Sequence, residues 1–177
     1  MDNGDIIFRS EEGGSYYVLR MNGDGSGRDK LLPFPVIRLS NVSPDGQWII
    51  VWMPVEDENT SSAVQAYRLT DKKLVRFCDL CSVAWSLDRK YLYFFSPGVG
   101  ANRVKRHEGI YALPLRSDQM LPVLPPGGLT STTDYGKLSA IQLPESETDG
   151  ITPGPDQRVY AFSRRTIQRN LFRVPLP

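Results

Sequence analysis

Two stretches decide the fold: NVSPDGQWIIVWMP at residues 41–54 and AWSLDRKYLYFFSP at residues 84–97. Ser43 matches Ser86 and Asp45 matches Asp88, a spacing of 43 residues. Each pairs a tight polar turn with a run of β-branched and aromatic residues, the pattern of a turn feeding a buried strand. A weaker copy, TPGPDQRVYAFSR, puts Asp156 in the place of Asp45. After each copy comes a second strand-like segment: AYRLTDKKLVRF, IYALPLRSDQMLPV and LFRVPLP. The amino-terminal segment repeats the two strands, DIIFRS and YYVLRM, without the preceding turn.

The rest of the chain agrees. Short strand-like runs alternate with turn clusters such as Gly13-Gly14, Asp45-Gly46 and Asp71-Lys72, and no segment carries a sustained 3.6-residue apolar stripe. Fourteen prolines scattered among 177 residues argue further against long helices. The expected class is all-β, and a period of 40–45 residues with four strands per unit predicts a β-propeller of antiparallel blades. The expected units are 5–33 (partial, lacking its innermost strand), 36–77, 82–124 and 138–177, in a single propeller region spanning 1–177. Residues 125–153, rich in Gly, Pro, Ser, Thr and Glu, read as a long loop interrupted by a short strand, KLSAIQL. About four blades or part-blades would leave apolar faces and strand edges open. The chain is therefore expected to be half of a larger propeller or to self-associate.

Composition narrows the function classes. Twenty-one basic residues against 20 acidic ones give a net charge of +1, which offers no general pull toward nucleic acid or an anionic membrane. No apolar run is long enough for a membrane-spanning helix. The opening residues, MDNGDIIFRS, lack the basic and apolar segments of a signal peptide, so the chain is cytoplasmic or its targeting segment lies outside it.

Candidate sites are few. Asn22, Asp24, Ser26 and Gly27 fit the start of a calcium loop, but position 12 of that loop is Pro33, which has no carboxylate. The same letters suit a hairpin turn, which is the preferred reading. Cys78 and Cys81 are the only cysteines, in CDLC, and with His107 the only histidine a four-ligand zinc site cannot be assembled from them. Two readings stand: a disulfide across a blade-to-blade loop, which is favoured, or two reduced packing residues. His107 reads as a solvated turn residue, and Glu145, Glu147 and Asp149 as a solvated acidic loop. Arg164, Arg165, Arg169 and Arg173 read as a solvated blade face in preference to an anion-binding patch. Trp48, Trp52 and Trp85 read as blade-packing aromatics. No nucleophile elbow and no phosphate-binding glycine loop occurs, so no catalytic, metal or cofactor residue is assigned.

The turn Ser43-Pro44-Asp45-Gly46-Gln47-Trp48 resembles the core of the TolB-like (WD-like) propeller repeat. Trp85-Ser86-Leu87-Asp88-Arg89-Lys90 keeps its Trp and loses its Pro and Gly, and Met21–Ser26 resembles the repeat's outer hairpin. A narrower resemblance joins CDLCSVAWSLDRKYLYF, YALPL…MLPVLPPGGL and GPDQRVYAFSRRTIQRNLFRVPLP to the carboxyl-terminal propeller of bacterial eukaryotic-like serine/threonine protein kinases. It implies a sensory or interaction region on the extracytoplasmic side of a receptor-type kinase. The kinase motifs themselves are absent from the chain, so no enzyme activity is expected of these residues. The alternative is the substrate-gating propeller of a serine peptidase or another hydrolase. No cofactor is expected, no nucleic acid and no membrane insertion. The expected partner is a protein or small-molecule ligand, which the sequence does not name.

Overall fold

The computed structural model describes residues 4–56, 60–99, 105–130, 132–143, 151–154 and 159–162. Four antiparallel sheets follow one another along the chain. The first has three strands in the order β1 (Ile6–Glu12), β2 (Ser15–Met21) and β3 (Asp29–Lys30). The second has four, β4 (Arg38–Val42), β5 (Trp48–Pro54), β6 (Ser62–Arg68) and β7 (Leu74–Cys78), each beside the next. The third runs β8 (Ser82–Trp85), β9 (Tyr91–Val99), β10 (Lys105–Pro114) and, after a short helix α1 (Thr132–Lys137), β11 (Ile141–Gln142). A two-stranded ribbon, β12 (Ile151–Pro153) and β13 (Tyr160–Phe162), completes the described part. The all-β expectation holds; α1 is the one α-helix among the described residues.

The second sheet explains why WIIVWM is apolar without interruption. Alternate residues of a strand face opposite sides. Trp48 and Ile50 enter a core shared with Val83, Trp85, Leu92 and Phe94 of the third sheet. Ile49 and Val51 face the other way, into a core with Val18, Leu32 and Val36 from the first sheet and the segment after it. A sheet buried on both faces needs apolar residues at every position. The third sheet does the same: Leu92 and Phe94 face the second sheet, while Tyr93, Ile110 and Ala112 form a further core with Leu143. Phe94 stacks on Tyr111 at 5.0 Å and meets the edge of Tyr135 at 5.0 Å, which ties α1 to the strands.

The described residues between 125 and 143 are tied to the neighbouring sheets. The chain after β10 is broken by Pro122, Pro125 and Pro126, which cannot donate to a sheet ladder. It crosses instead to the second sheet, where Leu129 N donates to Phe77 O at 2.7 Å. Gly128 lies so close that an added Cβ would sit 2.7 Å from that same oxygen. Leu121, Leu129 and Tyr135 are buried in the shared core. The short strand foreseen in KLSAIQL is β11, and it pairs with β10 as the outer strand of the third sheet, through Tyr111↔Gln142 and Ala112↔Ile141. Its segment thus closes the third sheet, whereas the sequence pattern groups it with the unit 138–177.

Candidate functional site

The repeated turns are built alike down to single hydrogen bonds. Ser43 Oγ accepts from Trp48 N at 2.8 Å and donates to Asp45, whose carboxylate also accepts from Gln47 N at 3.0 Å. One repeat later, Ser86 Oγ accepts from Tyr91 N at 2.9 Å and donates to Asp88 at 2.7 Å, while Asp88 accepts from Lys90 N at 3.1 Å. Burial alone would push the Asp88 carboxyl up; the bonds from Ser86 and Lys90 outweigh it and hold the group below its ordinary 3.8. These turns serve the scaffold.

Two recesses lie at opposite ends of the second sheet. One groove, of about 710 Å³, runs beside the turns, between Trp48, Arg68 and Lys73 on one side and the segment 117–127 on the other. Arg68 is already committed, with Nε and an outer nitrogen on the Asp71 carboxylate at 2.8 and 2.5 Å and its guanidinium 5.0 Å from the Trp48 ring. This ion pair raises the Arg68 pKa and lowers that of Asp71. Arg76 is likewise paired, with Asp79 at 2.6 Å.

The other recess is a cavity of about 280 Å³ at the seam between the second and third sheets. Arg38 and Ser40 of β4, Trp52 of β5, Ser82 of β8 and the loop residues Leu80 and Cys81 line it. Arg38 and Trp52 are direct cross-strand neighbours, and Trp52 in turn opposes Val64. Cys78 and Cys81 are joined across a Cα–Cα distance of 6.2 Å, within the span such a bond needs, and their loop forms one wall.

The remaining sequence candidates are dispersed. Asp24 accepts from Ser26 N at 2.9 Å and from Ser26 Oγ at 2.7 Å, while Asn22 donates to that hydroxyl at 2.9 Å. The bond from the Ser26 backbone, seconded by its hydroxyl, lowers the Asp24 pKa. Those four residues close a turn upon themselves, with Gly27 at φ 65° where a Cβ would meet the Asn22 amide. Trp48 and Trp85 are buried in the shared core, and Trp85 Nε1 donates to Met120 O at 2.7 Å. His107 falls within β10. Glu145, Glu147, Asp149, Arg164, Arg165, Arg169 and Arg173 lie outside the described residues. Arg38, Ser40 and Ser82 were not singled out from the sequence, where nothing distinguishes them from other polar residues on strands.

With sheets and seams in view, a solved structure is informative. TolB from Acinetobacter baumannii superposes with a TM-score of 0.60 at 16% sequence identity, over 93% of this chain and 36% of that one. The fold is that of part of a TolB-like β-propeller. The chain thus spans about a third of the length of the TolB structure it matches. No protein-family model matches the sequence, and no curated protein does.

Proposed function

We propose that the chain is a non-catalytic propeller scaffold for ligand or protein binding, acting as the sensory or interaction region associated with a bacterial serine/threonine protein kinase. The observation that carries the binding role is the seam cavity, held between two sheets whose turns are locked by repeated Ser–Asp hydrogen bonds. Such a frame presents a recess without reorganising, which lowers the entropic cost of binding. The kinase association rests on the ordered segments from Cys78 to Phe94 and onward that resemble the carboxyl-terminal propeller of those kinases. Fold by itself does not choose a function. The blades are further proposed to be part of a larger ring, since the first sheet has three strands where the second and third have four.

Sequencing the reading frame on either side of this chain tests the association. A protein kinase domain and a membrane span upstream are expected. An adjoining hydrolase domain with a G-x-S-x-G elbow would overturn the kinase reading in favour of a substrate-gating propeller.

A further inference from the structure

We propose that the seam cavity binds a carboxylate carried on a small apolar body, with Arg38 as its charge partner. The inference rests on the binding-scaffold reading and adds the chemistry of the ligand. About 280 Å³ lies near the lower end of ligand sites and suits a molecule or chain end about the size of one amino acid.

The polar side chains on the described lining are Arg38, Ser40 and Ser82, with no carboxylate among them. Arg38 is exposed and forms none of the ion pairs found among the described residues, whereas Arg20, Arg28, Arg68 and Arg76 each have an acidic partner. The site thus carries a guanidinium with no counter-ion among the described lining residues. Beside it on the same face, Trp52 Nε1 is enclosed and has no acceptor among the described residues. Buried indole N–H groups ordinarily have one. An anionic oxygen seated next to Arg38 pairs its charge, and a small turn of the Trp52 ring toward the recess brings Nε1 to the same oxygen. Val64, Leu80 and Phe95 complete the walls with apolar surface, which selects a ligand whose body is hydrocarbon and not a free inorganic anion. The disulfide fixes the wall carried by Leu80 and Cys81.

The test is a titration of the ¹⁵N-labelled chain with phenylacetate, read at the three tryptophan indole resonances and assigned with Trp52→Phe. The Trp52 resonance is expected to move saturably, while that of Trp85, bonded to Met120 O, stays in place as an internal reference. The uncharged 2-phenylethanol is expected to bind at least tenfold more weakly, and Arg38→Gln to weaken phenylacetate by about the same factor while leaving the rest of the spectrum dispersed. A peptide ending in a phenylalanine carboxylate, set against its amide, identifies the source. Tighter binding than phenylacetate assigns the pocket to a partner's chain end, and equal or weaker binding assigns it to a free organic acid. A Trp52 resonance that does not move, or that responds alike to acid and alcohol, or alike in Arg38→Gln, would overturn the proposal. Any of these would remove the pocket and leave the test of domain architecture untouched.

Discussion

Ser43 and Ser86 show how much of a blade turn rests on one hydroxyl. Each is buried, accepts from a strand N–H and donates to the turn aspartate. Replacing Ser86 with Ala strips Tyr91 N of that partner and should cost about 1–3 kcal/mol, read from urea unfolding. The same substitution removes one of the bonds that lower Asp88. A carboxyl with a depressed native pKa contributes stability above its unfolded pKa and loses it as pH falls through the native value. Wild type should therefore lose the Asp88 contribution only at a pH below the ordinary 3.8, and Ser86→Ala should begin to lose it at higher pH. Following the Asp88 side-chain carbon by NMR across an acid titration checks both. Gly46 and Arg89 occupy the same place in the two turns, at φ 70° and φ 62°. Only the glycine adopts that region without strain, so Arg89→Gly should raise stability by about 0.5–1 kcal/mol, seen as a higher melting temperature. The aspartate and serine of this motif were legible in the sequence because a tight turn needs those side chains at fixed spacing. That arginine adopts a glycine's conformation was not, since the sequence shows only that Gly46 has been replaced.

Elements were legible where both faces are buried. Strands β5 and β9 announce themselves by unbroken apolar runs. The short helix α1 was not legible: it has six residues including Gly136, too few to carry a readable period. Strand β11 was legible only as a short strand in KLSAIQL, and its two exposed residues do not show which sheet it joins. Their anchoring is tertiary, through Tyr135 and Leu143. For the cysteine pair, a C-x-x-C spacing permits closure without requiring it, so the sequence alone does not choose between a bridge and two thiols. In the structure the bridge spans four residues, and loop closure of that size is worth roughly 2 kcal/mol. Mild reduction, or the double replacement Cys78→Ser with Cys81→Ser, should lower stability by about that amount. Unchanged unfolding midpoints on reduction would mean that the bridge does not constrain the unfolded chain. The seam cavity was illegible for a simpler reason: its lining comes from strands and a loop spread between Arg38 and Phe95, and no local pattern joins them.

For the whole molecule, the second sheet is covered on both faces and the third is covered in part by the chain that follows it. The first sheet differs. Tyr16 and Val18 direct their carbonyls outward, to Val36 N and to Leu31 N, so the alternate residues of β2 bond to β1. By the same alternation Ile7, Arg9 and Glu11 turn their backbone groups to the other edge of β1, where no described strand pairs with them. An unpaired edge of this kind is a template for another strand. Light scattering on a size-exclusion column, with a hydrophobic dye added to the eluted protein, tests the partial-ring account most directly. It predicts a discrete assembly larger than the 19.9 kDa chain, or a monomer that binds the dye strongly. A 19.9 kDa monomer that binds no dye and unfolds in a single cooperative transition would contradict it.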